Sequence, residues 1–209
     1  GKCCDALGWE SVSVDMILPA DHQVDIMDFD YKQYPKDYFD IVWASPPCTN
    51  YSQLKKCWYD RKLKDGTIYC KELNDKDQDE ADKLVLKTLE IIKYFNPHVW
   101  FLENPQTGNL KNRDIMKDIP FYDVDYCMYS NWGYRKRTRI WTNKEDWNNL
   151  LCDGSGSCGN MIGNTKHKSS ADGGYDKRKK KVKGQINAGT TQQERYRVPE
   201  DLIYSLFLD

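Results

Sequence analysis

The feature that most constrains the fold of this chain is an apolar run that ends in two prolines and a cysteine. Residues 41–44 read Ile-Val-Trp-Ala, which is typical of a buried β-strand. Pro46 and Pro47 cannot donate hydrogen bonds to a sheet, so the strand must end there. Cys48 comes next, on a stiff turn past the carboxyl end of a predicted parallel strand, where ligands bind in open α/β sheets. A buried structural cysteine would also fit this turn.

Two further stretches place reactive side chains on predicted strands. Residues 99–102 are apolar and form a second predicted strand, which Glu103 and Asn104 follow directly. Residues 139–142 form a third predicted strand that begins with Arg139, and Arg137 lies two residues earlier. Side chains two apart on a strand point the same way, so both guanidinium groups are expected on one face.

Taken together, these stretches resemble the motifs of the cytosine-C5 DNA methyltransferases. Pro47-Cys48 matches the family's proline-cysteine motif, Glu103-Asn104 its Glu-Asn motif, and Arg137 and Arg139 its Arg-x-Arg motif. The compact chain is most similar to versions carried by phages and large DNA viruses. The resemblance implies an α/β fold, with a Rossmann-like class I S-adenosylmethionine-dependent methyltransferase sheet flanked by helices and a small irregular target-recognition region.

Composition sets limits on the protein's surroundings. The 209 residues suffice for one α/β domain plus a small appendage. A formal net charge of -1 gives no overall attraction to nucleic acid, so DNA affinity must come from local patches. The eight cysteines are scattered, which favours free thiols in a reducing, intracellular compartment. No apolar run approaches the ~20 residues of a membrane span, and no signal peptide opens the chain.

The resemblance also implies residues that bind S-adenosylmethionine. Asp15 ends a strand predicted at residues 11–15 and matches the family's ribose-binding acid, with Met16 beside it. Asp25 and Ile26 match the pair that contacts adenine in the family, although other acids lie close by. The remaining expected cofactor contacts are Ser45, Pro47 and Leu84, although plain core packing explains Leu84 equally well.

Residues 1–9 predict the second half of a helix that stops at Gly8. In the family, a first strand and a glycine-rich loop precede this helix, and that loop wraps the methionine part of the cofactor. This sequence shows no counterpart of that strand and loop. Two interpretations are open: the start of the chain is truncated or disordered, or the protein cannot hold the cofactor normally. We expect the first, because the later motifs are intact.

Two basic regions are the expected DNA contacts. The polar segment at residues 49–76 interleaves lysines and arginines with aromatics, and the resemblance implies a mobile loop that closes over DNA. A run at residues 177–183 has six basic residues in seven and coincides with the family's target-recognition region. Solvated surface is the alternative for both regions. The predicted DNA contacts are Ser52, Lys55, Lys56, Asn104, Lys179, Lys180 and Lys181, and Asn104 is also expected to hold its loop in shape.

The chain is expected to divide into three parts. Residues 1–143 form the catalytic domain, residues 144–191 a small basic target-recognition region, and residues 192–209 a C-terminal helix that packs back on the catalytic domain. Helices are predicted at residues 79–95, 109–118 and 200–207, and a strand at residues 121–129. Cys152, Cys158 and His167 are metal-ligand types, but their spacing matches no standard zinc set and no fourth ligand is evident, so no metal site is predicted.

The implied reaction assigns each motif a role. Cys48 adds to carbon 6 of cytosine, Glu103 donates a hydrogen bond to ring nitrogen N3, and one of Arg137 and Arg139 braces Glu103 while the other contacts O2. The base must leave the duplex to be reached. A monomer acting on double-stranded DNA is expected. Two alternatives stay open at this point, a transfer RNA methyltransferase of the same fold and a catalytically silent, methyltransferase-like DNA-binding protein.

Overall fold

The computed structural model describes residues 1–163, 166–171, 194 and 196–208. Three helices of the described chain are α1 (Lys2–Leu7), α2 (Lys71–Phe95) and α3 (Glu200–Leu208). The strands are β1 (Ile41–Ala44), β2 (Val99–Pro105), β3 (Phe121–Asp125), β4 (Arg137–Thr142), β5 (Met161–Ile162) and β6 (Lys166–His167). The fold is therefore mixed α/β, as predicted at this coarse level.

The main sheet has four strands in the order β1-β2-β4-β3. β1 and β2 are parallel, and Ile41 pairs with Val99. β4 runs in the opposite direction, because Asn143 directly after it bonds the start of β2: its side chain accepts from the N–H of Trp100 at 2.9 Å and donates to the carbonyl of His98 at 3.1 Å. The sheet therefore combines a parallel pair with an antiparallel strand, a common arrangement in α/β proteins.

Helix α2 is eight residues longer at its start than the predicted helix, which began at residue 79. The extra turns are polar in sequence, but Asn74 and Gln78 are buried in the structure. The Lys71–Asp75 ion pair, one helical turn apart, supports the exposed side. Tertiary burial of polar side chains thus extends the helix into a stretch that lacks apolar periodicity.

Three other predicted elements are wrong in type or extent. Residues 11–15 form no strand, and only an isolated bridge joins Val14 to His22. Ser13 instead bonds the carboxylate of Asp21 through both its N–H and its hydroxyl, so the segment folds on itself. The predicted helix at 109–118 is two 3₁₀ turns, and the predicted strand at 121–129 ends at Asp125 before another 3₁₀ turn. By contrast, α1 confirms the predicted helix that ends at Gly8, where φ is 71°.

Two clusters of buried side chains include residues of α2, and the first also includes residues of β1 and β2. One cluster surrounds Tyr51, Val85 and Leu102. The other surrounds Phe29, Tyr31 and Phe95. The apolar face of α2, the longest helix of the described chain, contributes to both clusters.

The chain forms two compact units. The first comprises residues 1–121 and 139–144, and the second comprises residues 122–138 and 145–209. The predicted assignment of catalysis and DNA recognition to residues 1–143, 144–191 and 192–209 stays a prediction, because compactness does not report on function. Among the described residues, no helix combines the length and the apolar character needed to span a bilayer.

Candidate active site

Because β1 and β2 are parallel neighbours, their carboxyl ends lie side by side at the same end of the sheet. Ala44 pairs with Leu102, so the turn after β1 continues beside the last residues of β2. Cys48 follows on that turn, and Glu103 is the residue directly after Leu102. Glu103 is buried and Cys48 is half-buried. The predicted nucleophile and the predicted acid are therefore carried at the same edge, on neighbouring segments.

A side-chain hydrogen bond joins the two motifs directly. Asn104, which is 1% exposed, donates through Nδ2 to the backbone carbonyl of Pro46 at 2.9 Å. Its other polar atom, Oδ1, is buried and has no hydrogen-bond partner among the described residues. Because Pro46 lies two residues before Cys48, this bond holds the thiol-bearing turn against the strand that carries Glu103.

Tyr51 anchors the far side of the Cys48 turn. Its N–H donates to the Cys48 carbonyl at 3.1 Å, and its own carbonyl accepts from Asn109, on the loop after β2, at 2.7 Å. The hydroxyl donates to Asp82 Oδ1 at 2.8 Å, and Arg113 Nε donates to Asp82 Oδ2 at 2.8 Å. Burial and the bond to Asp82 raise the pKa of Tyr51 above its usual value, so the hydroxyl stays a neutral donor. The turn is thereby fixed to both α2 and the loop after β2.

Arg139 reaches the same edge because β4 runs against β2. Asn143 lies beside the start of β2, so Arg139, four residues earlier, comes level with the end of β2 near Glu103. Its guanidinium carbon lies 3.5 Å from the centroid of the Phe121 ring, a cation–π contact. The strand register of the first unit therefore puts Cys48, Glu103 and Arg139 at the same end of the strands.

Arg137 makes different contacts, within the second unit. Its Nε and Nη2 donate to the two oxygens of Asp125 at 3.1 and 2.8 Å, a bidentate pair. The fully buried Asp125 also accepts from Arg135 at 3.0 Å and from the N–H of Cys152 at 3.0 Å. Burial raises the pKa of the Asp125 carboxyl, but the hydrogen bonds from Arg137 and Arg135 outweigh it and hold the pKa below its usual value. The two arginines of the motif are therefore distinguished by their partners.

The first predicted cofactor residues lie on a tight turn. Asp15 Oδ1 accepts from the N–H groups of Ile17 and Leu18, both at 2.7 Å. Met16, Ile17 and Leu18 are 59%, 75% and 61% exposed. Three consecutive apolar side chains in water leave an uncovered surface beside this acid, which suits contact with the flat, weakly polar ring of a bound nucleoside.

The remaining predicted cofactor residues are dispersed over several elements of the first unit. Asp25 orders its own turn by accepting from the N–H two residues later at 2.9 Å. Ile26 packs against the cluster around Phe29 and Phe95. Ser45 and Pro47 are exposed on the turn before Cys48, and Leu84 is half-buried on α2.

The loop after Cys48 contains both engaged and exposed polar residues. Lys55 Nζ donates to Asp77 at 2.6 Å and to Asn50 at 3.0 Å, and its side chain is only 11% exposed. These contacts tie the loop to α2. Ser52 Oγ caps a 3₁₀ turn, whereas Lys56 is exposed to solvent. The three predicted DNA-contacting lysines of the basic run, Lys179, Lys180 and Lys181, lie outside the described residues.

Sequence reasoning missed several side chains that build this region. The acid Asp82 lies one residue after Ala81 and three before Val85, on the buried side of α2. An acid at such a position is a usable signal, because a buried carboxylate needs partners. Nothing in the sequence around Asp125 and Cys127 indicated that these side chains have structural partners. The structure brings Cys127 together with Cys152, Cys158 and His167. One of the two reasons given for predicting no metal site, the lack of a fourth ligand, therefore does not hold.

Comparison with known proteins agrees with this arrangement of motifs. A sequence model of the C-5 cytosine-specific DNA methylase family matches residues 15–126, more than half of the chain. A protein of Frog virus 3 (isolate Goorha), named "Probable DNA (cytosine-5)-methyltransferase", is 38% identical over 210 residues. That alignment covers 98% of this chain and 91% of the viral protein. The chain therefore belongs to the C-5 cytosine-specific DNA methylase family.

Proposed function

We propose that this protein is an S-adenosylmethionine-dependent DNA methyltransferase that modifies carbon 5 of a flipped-out cytosine through a covalent adduct with Cys48. The observation that carries the proposal is the hydrogen bond from Asn104 to Pro46, which couples the thiol-bearing turn to the strand that bears Glu103. Family membership and the name of the viral relative support the same reaction. The parallel pair β1–β2, extended by antiparallel β4, supports a Rossmann-like class I sheet.

In this proposal, Cys48 makes carbon 5 reactive. Carbon 5 of cytosine is a poor nucleophile, and the thiolate form of a cysteine is the one that attacks. When the Cys48 sulfur bonds to carbon 6, electrons move through the ring towards N3 and carbon 5 gains enamine character. After carbon 5 has gained the methyl group, a base removes its proton and the sulfur–carbon 6 bond breaks, which restores the aromatic ring and the thiolate.

In this proposal, Glu103 and Arg139 stabilise the charge that this addition creates. The Glu103 carboxyl group would donate a hydrogen bond to N3 and so stabilise the negative charge that develops there. Arg139, level with the end of β2, is the arginine that we assign to the substrate or to Glu103. Arg137, bidentate to Asp125, acts in this proposal as a positioning residue.

Several residues of the first unit suit binding of the nucleoside part of S-adenosylmethionine. The exposed apolar run beginning at Met16 offers a surface for the adenine ring. Asp15 offers a carboxylate for the ribose hydroxyls, and Asp25 offers one for the adenine amino group. When bound, the cofactor supplies an electrophilic methyl group. Ser45, Pro47, Ile26 and Leu84 are further proposed contacts. The proposed nucleic-acid partner is double-stranded DNA, bound by a monomer.

The test is methyl transfer by the full chain to defined substrates. Labelled cofactor is incubated with duplex DNA and, separately, with transfer RNA, and the products are mapped. We expect label on cytosine carbon 5 of DNA; label on transfer RNA alone would contradict the proposed substrate. A protein with no calorimetric affinity for the cofactor would instead be the catalytically silent alternative.

The nucleophile is tested with a trap. A duplex containing 5-fluorocytosine has no proton to lose from carbon 5, so the adduct should persist and peptide mapping should find it on Cys48. Cys48→Ser should abolish both trapping and turnover while the fold is retained. The matched control is Cys57→Ser, since Cys57 is an exposed thiol on the following loop. An adduct on any other cysteine would refute the assignment.

A further inference from the structure

Four side chains with metal-binding atoms meet in the second unit. Cys127, Cys152, Cys158 and His167 each offer one atom, and these four atoms all lie within 4.8 Å of one another. His167 Nε2 lies 3.7 Å from the sulfur of Cys152 and 3.7 Å from the sulfur of Cys158. A tetrahedral zinc ion, with Zn–S of about 2.3 Å and Zn–N of about 2.0–2.1 Å, separates its ligand atoms by about 3.5–3.8 Å. The two distances from His167 fall in this range, and the other ligand atoms lie close enough together to surround one ion.

The backbone around these residues is held by buried polar side chains. Asn160, 3% exposed, donates through Nδ2 to the carbonyls of Cys127 at 2.8 Å and Cys158 at 3.0 Å. Asp125 accepts from the N–H of Cys152 at 3.0 Å. The outer partners of a metal site fix its ligands in this way. Three of the four candidate ligands are therefore positioned by groups that do not themselves belong to the tetrahedron.

The loop that carries two of the cysteines is shaped to turn tightly. Gly154, Gly156 and Gly159 have φ values of 81°, 98° and 68°, a conformation that disfavours side chains. These turns curl residues 152–160 so that both sulfurs face the same histidine. His167 itself lies on β6, and its partner across the two-stranded β5–β6 sheet is Met161. Strand β6 and the glycine-rich loop thus bring the imidazole of His167 to the sulfurs of Cys152 and Cys158.

The burial and chemistry of the four side chains indicate which metal they would bind and whether the site is structural or catalytic. Cys127 is 1% exposed and Cys152 is 4% exposed, while Cys158 and His167 are half-buried. Four protein ligands complete a tetrahedron and leave no position for substrate or water, as in structural zinc sites. Iron–sulfur clusters commonly take four cysteines, and calcium and magnesium take oxygen ligands. Three sulfurs and one imidazole nitrogen therefore fit zinc best.

We propose that Cys127, Cys152, Cys158 and His167 form a structural Zn²⁺ site that stabilises the second unit. The cysteines bind as thiolates, so binding displaces their protons to solvent, and no electron transfer is involved. The site does not depend on the proposed methyl transfer. Within the second unit, Asp125 accepts hydrogen bonds from both the N–H of Cys152 and the guanidinium of Arg137. Zinc would thereby order the segment that positions this arginine.

Metal content of the full chain tests the proposal directly. Protein expressed with added zinc and purified under reducing conditions should contain one equivalent of zinc by elemental analysis. Cys158→Ser and His167→Gln should release zinc to a chelator at least about 10-fold more readily, since even loss of an outer partner has an effect of that order. The matched controls are Cys57→Ser and His98→Gln, which alter exposed residues and should retain the metal.

A second measurement covers the case in which the variants fail to fold. Wild-type protein reconstituted with Co²⁺ should show the intense visible absorption of a tetrahedral cobalt–thiolate centre, and equimolar Zn²⁺ should abolish it. In a thiol titration, three fewer cysteines should react while zinc is bound than after the metal has been removed by a chelator. Zinc below one-tenth of an equivalent in reduced wild-type protein, together with no cobalt spectrum, would overturn the proposal. A disulfide among these cysteines in protein prepared without oxygen would also overturn it.

Discussion

The bond between Tyr51 and Asp82 gives the sharpest quantitative prediction. Tyr51→Phe removes only the hydroxyl, which donates to a carboxylate at 2.8 Å in a site where the ring is 1% exposed. A hydrogen bond to a charged group contributes about 1.5–3 kcal/mol. Arg113 still donates to the other carboxylate oxygen, so Asp82 is not left unpaired. We therefore expect the free energy of unfolding to fall by about 1.5–2 kcal/mol, at the lower end of that range.

This loss should be visible as a lower melting temperature. For a chain of this length, 1 kcal/mol shifts the melting temperature by about 2–4 °C, so Tyr51→Phe should melt about 3–8 °C below wild type. Denaturant unfolding followed by circular dichroism gives the same quantity independently. Tyr38→Phe is the matched control, because Tyr38 is 51% exposed and should stay within about 0.5 kcal/mol of wild type.

A double-mutant cycle separates the bond from general packing. Tyr51→Phe and Asp82→Asn, alone and combined, should show a coupling of about 1 kcal/mol or more, as expected for residues in direct contact. If Tyr51→Phe were as stable as Tyr38→Phe, or if the two changes were additive, the anchoring of the Cys48 turn through α2 would be refuted.

Three further changes test the site and its DNA contacts. Glu103→Gln should slow single-turnover methyl transfer by on the order of 10²-fold or more, the range for a lost general acid; an unchanged rate would exclude that role. Asn104→Ala leaves the Pro46 carbonyl without its donor, so the free energy of unfolding should fall by about 1–3 kcal/mol. Trapping of the 5-fluorocytosine adduct at Cys48 should also become slower; an unchanged rate would mean that this bond does not position the thiol. Replacing Lys179, Lys180 and Lys181 by glutamine should flatten the salt dependence of DNA binding, and an identical slope would remove the run from the interface.

Local signals in the sequence predicted the end of β1 and the apolar strand that leads to Glu103, although β2 continues to Pro105 instead of ending at residue 102. The prolines before Cys48 stop β1 by a backbone effect that needs no partner. Glu103 follows an apolar run whose burial depends only on composition, and the structure buries it. The pairing of Ala44 with Leu102, which are far apart in the sequence, was not predicted. Features within about ten residues of one another were therefore predictable.

Features that depend on distant residues were not. The start of α2 lies in a polar stretch, and the burial of Asn74 and Gln78 is decided by the surrounding chain. The strand predicted to end at Asp15 found no ladder partner among the described residues. Cys127 lies 25 residues before Cys152 and was assigned to a strand. No periodicity or short motif connects such positions, so only the folded chain reveals the cluster.

The uncovered methionine, isoleucine and leucine at residues 16–18 also bear on how the protein behaves in storage. Nonpolar surface of this kind promotes self-association between molecules at high concentration. A small molecule that covers it stabilises the dispersed form by mass action, in proportion to how far its concentration exceeds its dissociation constant. If the cofactor binds at this surface as proposed, preparations kept with an adenosine-bearing compound should remain clear under conditions in which ligand-free preparations aggregate visibly.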